Sequence, residues 1–267
     1  MAVGTGVYQD LRERFDTEGY CVGRGLISRE EIETIKEHFE YLHSLGSIPG
    51  CFQSDPTSDD PLKVYPRMMH PHRHSELALR YMIDPRIMDV LEVLLGEEPI
   101  AAQSMYYFKP PGARGQALHQ DNFYLKVEPG TCVAAWVAVD PADEENGGMV
   151  VVPGSQGMEV VCPEEADPTQ SFTRHLVRPP EGMKEVPVAL EPGDVLFFNG
   201  SVIHGSYPNR SKDRFRRSFI CHYAGISCEK IGKYYMPLYR RDGTPLMREE
   251  NQGAGPCGPE FEAKGPH

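Results

Sequence analysis

The sequence predicts an α+β fold in which N-terminal helices pack on one sheet of a double-stranded β-helix, or jelly roll. Three observations support it. Over the first hundred residues apolar side chains recur at helical spacing. From Ile100 the chain changes to about eight short β-rich runs separated by turn residues. A length of 267 residues with 40% apolar composition is enough to bury one sizeable core.

The elements follow in order. Tyr8 to Glu18 reads as a short amphipathic helix and Tyr20-Cys21-Val22 as a strand. Ser28-Arg29-Glu30-Glu31 is a capping box, a hydroxyl followed three residues later by a glutamate, and opens a helix to about Leu45 with Ile32, Ile35, Phe39 and Leu42 on one face. Gly46 to Pro61, rich in Gly, Pro, Ser and Asp, reads as loop. Asp84-Pro85 starts a helix whose Ile87, Val90, Leu91 and Leu94 share a face, and Gly96 ends it. The strand candidates are Ala101 to Phe108, Thr131 to Val139, Met149 to Val152, Val186 to Leu190, Val195 to Phe198 and Phe215 to Tyr223. Glu191-Pro192-Gly193-Asp194 places Pro and then Gly where a type II turn needs them. This gives one domain over 1–239, helical over about 8–98 and jelly roll over about 100–230. Residues 240–267 lose periodicity and read as a disordered tail or a flap.

Bulk properties exclude several classes. A net charge of −12 and a pI near 5.3 argue against nucleic-acid or anionic-membrane partners, which need a basic surface. No segment approaches the roughly 18 apolar residues of a membrane span, and Met1 to Asp10 does not read as a signal peptide. The expected location is cytoplasmic and the expected partner a small molecule; oligomeric state is not legible. Seven Cys without a C-x-x-C pair indicate reduced, mostly buried thiols instead of a disulfide framework or zinc ribbon.

The chemistry gathers around His119-Gln120-Asp121. Side chains at i and i+2 of a strand share a face, so one strand can deliver an imidazole and a carboxylate together. With 10 His in the chain the pattern alone would arise by chance about half the time, so context decides. His38-Phe39-Glu40 and His74-Ser75-Glu76 lie in helical patterns, where the two groups diverge. His119 is flanked by the extended run 101–109, the Pro110-Pro111-Gly112 break and alternating Phe123, Leu125 and Val127, which predicts a strand. His204, 83 residues after Asp121, follows another apolar run and supplies a third ligand if the late strand returns beside the early one. Two histidines and one carboxylate on one face are the donor set of non-haem iron oxygenases. Arg216 lies 12 residues further on, and Ser218 shares its face; a guanidinium fork with a hydroxyl suits a carboxylate at the end of a pocket. Arg214 shares that face too.

His119-Gln120-Asp121, Trp136-Val137-Ala138-Val139-Asp140, Asn146-Gly147-Gly148, Pro153-Gly154-Ser155, His204-Gly205-Ser206 and Arg216 through His222, as an ordered set, resemble the phytanoyl-CoA dioxygenase family over about residues 8–230. The resemblance implies a mononuclear Fe(II), 2-oxoglutarate-dependent oxygenase on a cupin-like core. His119, Asp121 and His204 would hold iron, leaving positions for the keto acid and O2, and Arg216 would hold the distal carboxylate of 2-oxoglutarate. It prefers Arg216 to Arg214 because the family's arginine strand resembles the run that starts there. Gln103, Met105 and Trp136 would line the cosubstrate pocket, and Arg67 stands near the place of a family lysine. Related halogenases carry a small residue in place of the carboxylate, so Asp121 points to hydroxylation or a related oxidation.

The substrate side is less defined. The basic, histidine-rich loop from Tyr65 to His74 offers Arg67 and His70, and Asn122 and Tyr124 stand beside the metal residues. A second metal in that loop lacks a carboxylate or cysteine at fixed spacing. A CoA thioester would need a basic groove that the acidic sequence does not display. A metal-dependent jelly-roll protein that is non-catalytic, or independent of 2-oxoglutarate, stays open as the alternative.

Overall fold

The computed structural model describes residues 5–253 and 255–258. Two antiparallel sheets organise it. The larger has the Tyr20–Gly23, Val195–Asn199, Val133–Ala138, Ser218–Gly225, Pro99–Tyr107, Leu238–Tyr239 and Pro245–Leu246 strands in that order, with Met68–Met69 also paired to Pro99–Tyr107. The smaller runs Val186–Val188, Met149–Val151, His204–Ser206, Gln116–His119. The two are not hydrogen-bonded into a closed barrel among the described residues.

Strand alternation assigns each face of the large sheet. Val133, Ala135 and Val137 pack against the helices, in one cluster with Phe15, Ile35 and Phe39. Ala134, Trp136 and Ala138 point the other way and meet Met149, Val151 and Val188 of the small sheet. The N-terminal helices therefore cover one face of one sheet, as expected, and the second face closes the cavity that holds the site.

The helices begin and end where the capping chemistry places them. In the Arg29–Ser44 helix the Ser28 hydroxyl accepts from the Glu31 backbone N–H, and the Glu31 carboxylate accepts from that of Ser28. The Pro85–Leu95 helix is capped by Asp84 and closed by Gly96 in the left-handed region. Phe39 is fully buried and stacks on Tyr106 of the large sheet at 3.9 Å. Phe39→Ala should therefore cost about 3–5 kcal/mol, read as a lower urea midpoint with an unchanged m-value.

Four expectations need correction. The 46–61 segment holds a small hairpin, Ser47–Ile48 with Phe52–Gln53, and a helical turn starting at Pro61. The tail is not disordered where described, because Pro245–Leu246 pairs with Leu238–Tyr239 and Glu249–Glu250 with Lys230–Ile231; residue 254 and residues 259–267 lie outside the described residues. Cys162 and Cys257 are joined as a disulfide, while the other five cysteines are buried thiols. Phe123 and Leu125 belong to a helical turn, Asn122–Leu125, not to a continuing strand. No described helix is long and apolar enough to cross a membrane.

Candidate metal centre

His119 ends its strand directly opposite His204, in register with it, and the two imidazole rings lie 4.2 Å apart. Each ring is fixed in the same way. Nδ1 of His119 lies 2.8 Å from the Ala117 carbonyl, and Nδ1 of His204 lies 3.0 Å from that of Val202. A carbonyl only accepts, so each Nδ1 donates, and in the neutral ring the lone pair is left on Nε2. Both Nε2 atoms face Asp121, whose Oδ1 lies 3.3 Å and 3.5 Å from them.

Asp121 reaches this point by a different route from the one the spacing suggests. It adopts right-handed helical angles, φ −64° and ψ −35°, at the start of the Asn122–Leu125 turn. The chain turns just after His119, and that turn swings the carboxylate back to the imidazoles. Burial and the neighbouring His204 push the His119 imidazole below its ordinary pKa. Burial also opposes the charged form of His204, but the Asp121 carboxylate prevails and raises it. The three side chains form a buried cluster whose ligand atoms lie within 4.8 Å of one another, the one such cluster among the described residues. One oxygen and two imidazole nitrogens on one side of a small space fit a first-row divalent ion with open positions.

His222, which the sequence reading did not single out, orients the carboxylate. Its Nε2 donates to Asp121 Oδ2 at 2.9 Å, both residues being 1% exposed, so Oδ1 is the oxygen left facing the imidazoles. Loss of such an outer partner usually weakens metal binding about 10–100-fold. His222→Ala should show that loss in an Fe(II) or Mn(II) titration, and His222→Gln, which keeps a donor, should recover part of it.

The pocket beside the three side chains is lined by Arg216, Met105, Trp136 and Ile220. Arg216 is fully buried; its Nε donates to the Gly147 carbonyl and its Nη1 to the Ser218 hydroxyl, both at 2.9 Å, with Trp136 beneath the guanidinium. Among the described residues no carboxylate pairs with it, and burial lowers its pKa to about 10. The neighbouring arginines are spent elsewhere: Arg214 on Asp143 and Glu145, Arg217 on Asp140 and Glu40. Lys109 adds a second buried cation, its Nζ donating to the Ser206 hydroxyl at 2.8 Å. Burial and Arg216 push that ammonium well below a normal lysine pKa. Gly147 makes room for it, since a Cβ there would meet Lys109 Cε at 2.7 Å. A buried guanidinium with no acidic partner among the described residues leaves a pocket suited to a bound anion, and Lys109 stands behind Ser206 of its wall.

The remaining candidates divide. Gln103 is buried opposite His222 on the next strand and does not form the pocket wall. Asn122 is spent on the backbone of Val127, accepting from its N–H at 3.0 Å and donating to its carbonyl. His70 is buried near His222 and driven down to about 3 by burial and by the charge of Arg73. Tyr124 bonds to His175 at 2.8 Å, with its ring 6.2 Å from that of His119. Arg67 donates to the Tyr107 hydroxyl at 3.2 Å, at the rim of the pocket.

The family model for phytanoyl-CoA dioxygenase (PhyH) matches residues 15–218. The chain belongs to the phytanoyl-CoA dioxygenase family. Relatives include the peroxisomal phytanoyl-CoA dioxygenases of Bos taurus, 26% identical, and Homo sapiens, 24% identical, each match covering 83% of this chain and 70% of the relative. Among solved structures, the epimerase SnoN in complex with Fe3+, alpha ketoglutarate and nogalamycin RO is 25% identical with a TM-score of 0.67, covering 84% of this chain and 86% of that one. EctD from S. alaskensis with bound Fe matches in fold at a TM-score of 0.66 and 21% identity, over 93% of this chain and 88% of that one. The family is iron- and 2-oxoglutarate-dependent.

Proposed function

We propose that the protein is an Fe(II)- and 2-oxoglutarate-dependent oxygenase, built on a double-stranded β-helix core, that oxidises an unactivated C–H bond of a small molecule and releases succinate and CO2. One observation carries the reading. Two Nε2 atoms and one carboxylate oxygen converge beside a pocket that Asp121, His204 and a buried arginine, Arg216, line together, and that arginine has no acidic partner among the described residues. In this reading His119, Asp121 and His204 hold the metal. Arg216 and Ser218 take the distal carboxylate of 2-oxoglutarate, and Met105 and Trp136 pack along its chain. Bound iron supplies the activation of O2, coupled to decarboxylation of the keto acid.

The protein's own work is to bind, orient and keep dry. The buried walls exclude water, and the Arg216 fork fixes the cosubstrate along the pocket so that its keto-acid end reaches the metal ligands. Arg67 and Tyr124 stand on the substrate side. Asp121 favours oxygen insertion over chlorination, because its carboxylate occupies the place a halide would need. A cytoplasmic location belongs to the same proposal.

The test is an oxygen-electrode assay with Fe(II), ascorbate and 2-oxoglutarate across small-molecule substrates, with succinate quantified. Substrate-stimulated O2 uptake matched by succinate is the expected result. O2 uptake without keto acid would favour a 2-oxoglutarate-independent enzyme; no turnover of keto acid under any condition would favour a non-catalytic binding protein.

A further inference from the structure

A second cavity, of about 320 Å³, opens beside the metal pocket and shares one wall residue with it, Tyr107. Its charge is opposite to that of the molecule as a whole. Lys63, Arg67, Lys109 and Arg114 line it against one acid, Asp60, in a chain whose net charge is −12. Asp60 is already taken, bonded to Arg114 at 2.7 Å. Lys63, Arg67 and Lys109 have no carboxylate within ion-pair distance among the described residues.

Arg67 sits at the junction of the two cavities. It is half-buried, and one terminal nitrogen donates to the Tyr107 hydroxyl, which itself donates to Met105 Sδ at 3.7 Å in the metal pocket. It also lies close enough to Tyr124, the neighbour of His119, to oppose the burial that raises that phenol's pKa. A half-buried guanidinium held on one side by a neutral hydroxyl, with open space on the other, is a receptor for a planar or tetrahedral oxyanion. Tyr65 and Phe172 give the same cavity aromatic wall, so it suits an anion carried on an apolar body.

We propose that this cavity binds the anionic group, a carboxylate or phosphate, of the substrate to be oxidised, with Arg67 as its main contact and Lys63 and Arg114 as a surrounding field. The inference rests on the oxygenase reading and adds the substrate's chemical class. Tyr107 then separates two anions, the cosubstrate at Arg216 and the substrate at Arg67, and a substrate anchored at Arg67 projects its body toward the metal ligands.

Ligand-observed saturation-transfer NMR tests this on the full chain loaded with equimolar Zn(II) and saturating 2-oxoglutarate. The probes are phenyl phosphate and benzoate, with benzyl alcohol as the neutral control. At least one anionic probe should bind and the alcohol should not, and which of the two binds separates phosphate from carboxylate. Arg67→Met should weaken the bound probe about tenfold or more, the worth of one charge-assisted contact. Arg67→Lys should recover part of it, and Lys63→Met should cost about two- to threefold. Equal binding of the alcohol, or an unchanged anion affinity in Arg67→Met, would overturn the proposal. So would a variant that loses 2-oxoglutarate affinity instead, since Arg67 would then serve the cosubstrate. The charge-transfer band of Fe(II) with 2-oxoglutarate is read separately in the wild type, so failure of the oxygenase reading is distinct from failure of the anion site.

Discussion

His204→Ala is expected to abolish tight Fe(II) binding and reduce turnover by more than about 10³-fold, because removing a ligand should exceed the 10–100-fold cost of losing an outer hydrogen-bond partner. The geometry sets the size of the effect. Among the described residues two imidazoles and one carboxylate oxygen converge here, and the His204 ring faces both His119 and Asp121. Two remaining donors cannot hold a facial site against water. Calorimetric Fe(II) or Mn(II) titration with unchanged far-UV circular dichroism checks it; a folded variant that keeps wild-type metal affinity would remove His204 from the site.

The second large effect is at Arg216. Arg216→Met should raise the 2-oxoglutarate requirement about 10²-fold with little change in kcat at saturation, since a charge-assisted, two-pronged contact is worth about 3 kcal/mol. Trp136, the sole tryptophan, lies under the guanidinium and gives an intrinsic fluorescence readout. Stability should move differently. A buried cation with no acidic partner among the described residues carries an unrecovered desolvation cost, so the unliganded variant should be no less stable than wild type. Adding 2-oxoglutarate should raise Tm in the wild type far more than in the variant. Equal affinity in both proteins would remove Arg216 from the cosubstrate site.

What could be read in advance follows from how local each signal is. The capping box at Ser28, the Asp84-Pro85 start and the Gly96 stop depend on neighbours within a few residues, and the structure keeps all three. The alternation at Phe123 and Leu125 suggested a strand, but two apolar residues two apart also fit one turn of helix. The backbone at Asp121 chose the turn. His119, Asp121 and His204 were legible because residue type and order narrow the chemistry. His222 was not: its role depends on a partner 101 residues earlier, on the turn that follows a strand of the other sheet. The Cys162–Cys257 disulfide spans 95 residues with no spacing motif to announce it. The basic cavity was hidden in the same way, since Lys63, Arg67, Lys109 and Arg114 form no basic run in the sequence and meet only in the fold. The ordered part of the tail was missed because its short strands gain stability from edges already formed by residues 238–239 and 230–231.

The central claim is that one pocket holds both a metal and 2-oxoglutarate, and anaerobic titration of the full chain with Fe(II) and then 2-oxoglutarate tests it most directly. The account predicts a visible metal-to-ligand charge-transfer band that saturates at one equivalent, is absent in His204→Ala, and needs far more 2-oxoglutarate in Arg216→Met. A wild-type protein that binds Fe(II) but develops no such band at any 2-oxoglutarate concentration would contradict it.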